Sequence, residues 1–142
     1  ADEVVDHHAI DDVASAIATF TDGRGVDVVF DPVGGAAAEA LVPAMAHHGR
    51  FLLVGFASGR WPTIDPRRLV SGNFSAMGVY AGAYDRPHVA SVYDQLLHRV
   101  ESGSLAPVPT HSFSFDEVPR ALDAVAGRTL TGKGIIRVGG QR

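Results

Sequence analysis

Two short glycine-bearing stretches hold the residues whose types and spacing suit chemistry. In Asp31-Pro32-Val33-Gly34-Gly35 a carboxylate, a proline and two glycines follow the apolar run Val26 to Phe30; in Gly55-Phe56-Ala57-Ser58-Gly59 a hydroxyl sits among small residues after Arg50 to Val54. A carboxylate and a hydroxyl can hold polar atoms of a ligand, and glycine lets backbone come close to it. This is binding chemistry. No nucleophile beside a base and no carboxylate pair suited to acid–base work stands out. Metal chemistry finds little support either: the chain has no cysteine, and the doublets His7-His8 and His47-His48 place adjacent rings in different directions, so neither doublet chelates one ion. No metal site is expected.

These stretches need strands to carry them. Val26 to Phe30 and Arg50 to Val54 are apolar runs suited to strands buried on both faces of a parallel sheet, each emptying into a loop at its carboxyl end. Two such loops side by side form a crevice at the carboxyl edge, where open α/β sheets take ligands. Around them, Glu3 to Asp6 reads as the tail of a strand, and Asp11-Asp12 offers an N-cap for a helix to about Thr21 with Ile10, Val13, Ile17 and Phe20 at helical spacing. An alanine-rich helix is expected from Ala36 to His47, with Ala40, Leu41, Ala44 and Met45 as its buried stripe and His47-His48 at its end. Asp65-Pro66 opens a short helix to about Val70, and Phe74 to Tyr80 reads as a strand. Pro87 to Ser102 carries Val89, Val92, Tyr93, Leu96, Leu97 and Val100 as the apolar face of a helix that stops at Gly103, a face expected against the same sheet. Val108 to Phe115 alternates around a proline and suits an edge strand; Asp116 then caps a helix with Pro119 in its first turn, and Ile135 to Val138 is a last strand.

Size and composition set the frame. At 142 residues, with 46% hydrophobic residues and mean hydropathy of +0.10, the chain suits one folded core, and no apolar run approaches the roughly 20 residues a membrane span requires. The formal charge is −4 and the basic residues are scattered, Arg67-Arg68 apart, which argues against nucleic acid as a partner. With no signal-like segment and no cysteine, a cytoplasmic location is expected.

With these residues laid out, the chain resembles the medium-chain dehydrogenase/reductase superfamily, and within it the zinc-independent NADPH:quinone oxidoreductase branch. The resemblance runs through Gly23 to Gly35, Gly49-Arg50-Phe51 with Val54 to Gly59, and Thr131-Gly132-Lys133-Gly134. It implies an α/β fold: a partial Rossmann-like, doubly wound parallel sheet over residues 1–104, and a segment of the family's catalytic domain over residues 105–142. No G-x-G-x-x-G occurs, so the resemblance implies the C-terminal portion of a longer enzyme, without the Gly-rich strand-turn-helix that holds a pyrophosphate. NADPH binding by the chain alone is then weak or absent.

For the parent enzyme the resemblance implies hydride transfer from NADPH to a small quinone or enone, a reaction in which the cofactor carries the reactive atom and no protein dyad is required. It places Gly55, Phe56, Ala57 and Ser58 beside the nicotinamide, with Asp31, Pro32, Val33 and Gly34 as the neighbouring wall. Gly78 and Tyr80 follow on a further strand, and Arg128 and Lys133 come near the phosphates. Each has a plainer reading beside it: tight strand-to-loop turns for the first two groups, a packed aromatic for Tyr80, solvated cations for Arg128 and Lys133. The resemblance also implies a homodimer through the strand 74–79. The alternative is a non-enzymatic module in which the sheet survives to dimerise or to complete a chain carrying the missing N-terminal half.

Overall fold

Strand β1, Val26–Asp31, lies parallel to β2, Met45–Leu53, which in turn lies parallel to β3, Ser75–Gly78. This computed structural model describes residues 1–6, 9–106 and 109–139, with the side chains of 109 and 110 excepted. The register aligns Val29 with Phe51 and Asp31 with Leu53, and Phe51 with Ala76 and Leu53 with Gly78, so the three strands end together. Phe51 of the central strand is fully buried and packs in one cluster with Val29, Ala38, Val42 and Phe74. The fold is mixed α/β, and every strand pairing among the described residues is parallel.

Connections between parallel strands must cross over, and short helices serve here. Helix α1, Val13–Phe20, starts where Asp12 accepts from Ser15 N at 3.0 Å. Helix α2 is only Gly35–Glu39, followed by a 3₁₀ turn at Val42–Ala44, and β2 begins at Met45. The expected long helix over 36–47 is therefore corrected. Pro43 lacks a backbone N–H and its ring clashes with the preceding turn, so α-helix cannot run through it. Ala40 is exposed, and Ala38, Val42 and Ala44 are the buried positions. His47 and His48 accordingly lie in a bulged part of β2 rather than at a helix end: the register jumps between Val26 and Val28, His48 has φ of 62°, and its N–H donates to Asn73 O at 2.8 Å.

Glu3 to Asp6 forms no strand, because a strand needs a neighbour and none lies beside it among the described residues. His7, His8 and Val108 lie outside the described residues. Helix α3, Pro66–Gly72, opens as expected at Asp65, which accepts from Arg67 N at 2.9 Å.

The chain divides into two compact units, Ala1–Ala83 and Tyr84–Arg142. The second holds α4, Arg86–Glu101, capped by Asp85, and none of its residues is buried. Its sheet pairs β4, Pro109–Ser114, with β5, Lys133–Arg137. Between them runs α5, Val118–Ala126, whose Ala121 is buried, as is Phe113 of β4. The cap is corrected from Asp116 to Ser114, since a 3₁₀ turn over Phe115–Glu117 precedes the helix and Ser114 forms a reciprocal capping box with Glu117.

Candidate functional site at the carboxyl edge of the sheet

The two loops singled out by their residue types meet. Val54 N–H and Gly55 N–H donate to Asp31 O at 2.9 and 3.1 Å, Ala57 N–H to Pro32 O at 3.2 Å, and Ser58 N–H to Val33 O at 2.8 Å. A ladder of backbone bonds thus continues past the strand ends and holds residues 31–35 against 54–58. Opposite sheet edges or antiparallel strands would have separated them; they lie side by side on parallel neighbours.

Asp31 is the organiser of the first loop. It is only 4% exposed, and its Oδ1 accepts from Val33 N and Gly34 N, each at 2.9 Å. The turn that results requires glycine: Gly34 has φ of +71°, and a Cβ there would stand 2.5 Å from Arg60 O and 3.2 Å from Phe56 Cα. Asp31 Oδ2 is buried with no hydrogen-bond partner among the described residues. A buried carboxylate oxygen without a donor is costly, so this acceptor suits a hydroxyl or amide brought to it from outside those residues.

Side chains add to the backbone seam in holding the second loop. Glu39 at the end of α2 accepts from Arg60 Nη1 at 2.7 Å and Nη2 at 3.1 Å, and from Thr63 N at 2.8 Å. The Arg60 hydrogen bonds, ahead of the Thr63 amide and the Arg60 charge, hold the Glu39 carboxyl down at about 2. Ser58 Oγ donates to Arg60 O at 3.2 Å. Neither Glu39 nor Arg60 was singled out in the sequence, where a pair 21 residues apart carries no local pattern.

Beside the first loop lies a cleft of about 580 Å³, lined mainly by apolar groups: Ile10 and Val13 on one side, Phe30 to Val33 in the middle, and the Ala36 to Leu41 segment on the other. It runs along the free edge of β1, where Phe30 is 65% exposed and no other strand pairs among the described residues. The third expected element joins in register: Gly78 pairs with Leu53, and Val79 N–H donates to Leu53 O at 2.9 Å. Tyr80 is exposed, not a packed core aromatic, and turns its ring toward Gly82. Arg128, with φ of +54°, and Lys133 at the start of β5 belong to the second unit. That unit has its own open hollow of about 620 Å³ around Ser112, Ser114, Asp116 and Arg137, but the Ser114 N–H and hydroxyl both already serve Glu117.

Comparison with known proteins agrees with this geometry. A profile described as zinc-binding dehydrogenase matches residues 1–136. The chain belongs to that family. It is 32% identical over 130 residues to a quinone oxidoreductase-like protein 2 homolog from Nematostella vectensis, covering 89% of this chain and 36% of the relative. It is likewise 32% identical over 132 residues to bovine prostaglandin reductase-3, covering 81% of this chain and 35% of that protein. The Escherichia coli quinone oxidoreductase complexed with NADPH superposes with a TM-score of 0.81 at 18% identity, over 93% of this chain and 42% of that one. The chain thus spans little more than a third of the curated relatives it matches.

Zinc does not fit: the sequence has no cysteine, and no three His, Asp or Glu residues converge on one point among the described residues. The glycine cradle at Gly34, the lone Asp31 oxygen and the cleft beside them together offer close backbone, an acceptor and apolar surface to a ligand. No helix among the described residues is long and apolar enough to cross a membrane.

Proposed function

We propose that this chain is the nicotinamide-side part of an NADPH-dependent oxidoreductase that passes hydride to a small quinone or enone. The observation that supports the reading best is the hydrogen-bonded seam between residues 31–35 and 54–58 at the ends of parallel strands. Asp31, Pro32, Val33 and Gly34 would form one wall of the cofactor site, and Gly55, Phe56, Ala57 and Ser58 the other, with Gly78 and Tyr80 beyond them. By the same resemblance, Arg128 and Lys133 are assigned to the phosphates. The cofactor supplies the hydride; these residues bind and orient it. In the parent protein, residues 1–104 would belong to the nucleotide-binding domain and 105–142 to the catalytic one.

Assembly is part of the reading. All residues of β3 are exposed, and its outer edge carries no strand among the described residues, which suits pairing with the same strand of a second copy. Affinity for NADPH in this chain alone would be weak or nil, since no Gly-rich turn opening a helix that could hold the pyrophosphate is found among the described residues.

The test is an NADPH titration followed by nicotinamide fluorescence. It is run on the chain alone and mixed with a chain that carries the Gly-rich strand-turn-helix. A saturable response that strengthens in the mixture is expected. No response in either sample overturns the reading and leaves the assembly module.

A further inference from the structure

We infer that Phe56 and Trp61 form a stacking wall for a flat, conjugated acceptor, which gives the site a preference for planar substrates. Their ring centroids lie 4.7 Å apart with 40° between the planes. Each ring is about half exposed, Phe56 at 50% and Trp61 at 51%. Aromatic rings left open to water on a mobile loop would carry little information. This loop is not free to move.

Three features pin it in place. Gly59 N–H donates to Phe56 O at 2.8 Å and closes the turn between the two rings; Ser58 is bonded to Val33 on one side and to Arg60 on the other. Arg60, next to Trp61, is tied to Glu39 by two bonds. Gly34 also sits within 3.2 Å of Phe56 Cα once a Cβ is placed on it, so the first ring springs from the wall of the candidate cofactor site itself. A preorganised pair of aromatic faces loses little side-chain freedom on binding and favours offset stacking with another π-system. The indole N–H adds a donor at the edge of that surface, suited to a carbonyl oxygen. A planar carbonyl compound matches both features better than a saturated one.

This inference rests on the oxidoreductase reading for its place but is tested separately. Trp61 is the only tryptophan, so its emission reports this site alone, and the lack of cysteine removes thiol addition to a quinone as an artefact. The full chain is titrated with 1,4-naphthoquinone, and with cyclohexanone as the unconjugated control. Saturable quenching by the quinone alone is expected, and Phe56→Leu, which keeps the reporter, should weaken its affinity about three- to tenfold. Quenching that stays linear with quinone concentration overturns the wall, as does an unchanged affinity in Phe56→Leu. A Trp61→Phe variant followed by equilibrium dialysis checks that binding survives with the other aromatic ring in place; loss of binding there, with the melting temperature unchanged, overturns the stacking account. An NADPH response together with linear quenching removes the wall and keeps the oxidoreductase. Saturable quenching without any NADPH response does the reverse.

Discussion

The two loops that meet at the carboxyl edge share a backbone seam but differ in what else holds them. Residues 31–35 are built from backbone: one buried carboxylate collects two amides, and a glycine in the left-handed region leaves no room for a side chain. Residues 55–58 share the backbone seam, but residues 60–63 are tied down by side chains, Arg60 to the half-buried Glu39, and Phe56 and Trp61 present their rings outward. The first loop has a single tolerated geometry. The second adds to its backbone bonds an ion pair near water, where such pairs are weak.

The largest change should come from beneath both loops. Phe51→Ala empties the fully buried position between β1 and β3 and is expected to cost about 3–5 kcal/mol in urea denaturation, melting both walls together. Gly34→Ala strikes the first loop where it abuts the second, and the combination of a left-handed φ with a Cβ against Arg60 O should cost about 3 kcal/mol by thermal melting. If it costs nothing, the first loop is not rigid and the contrast disappears.

Asp31→Ala should follow at about 2 kcal/mol, with faster amide exchange at Val33 and Gly34 and little change at Ala57 and Ser58. Equal acceleration of all four amides would show that the walls are one unit. Glu39→Gln should have the smallest effect, confined to the loop at Trp61. The Glu39 carboxyl titrates at about 2 in the folded chain against an ordinary 4.5, so its contribution is full above about 4.5 and fades as the pH falls toward 2. The melting-temperature difference between wild type and Glu39→Gln should therefore hold constant from pH 8 to about 5 and close on further acidification; a gap that widens in acid would contradict the latch.

What the sequence showed follows from how far its signals reach. The runs before Asp31 and Gly55 stand out as apolar, so β1 and the core of β2 were readable, and with them the adjacency of the loops; the expected burial on both faces is corrected for β1, which buries Val29 and Asp31 and leaves Val28 and Phe30 exposed because no strand covers its outer flank among the described residues. The Ala36–His47 stretch misled because alanine favours helix strongly, yet Pro43 was the visible signal that the helix ends early. The cap at Ser114 was readable as S-x-x-E, and Asp116 outweighed it only by being a good capping residue taken alone. The Glu39–Arg60 latch left no trace, since two charged residues far apart in sequence look like any solvated pair.

The open flank of β1 has one more consequence. A strand that shows Phe30 and a row of unused amides and carbonyls to water is a template on which any extended chain can grow, including identical copies of itself. Unless something sheathes that flank, concentrated solutions should turn cloudy well below the temperature at which the core unfolds, and a single lysine in place of Phe30 should keep them clear.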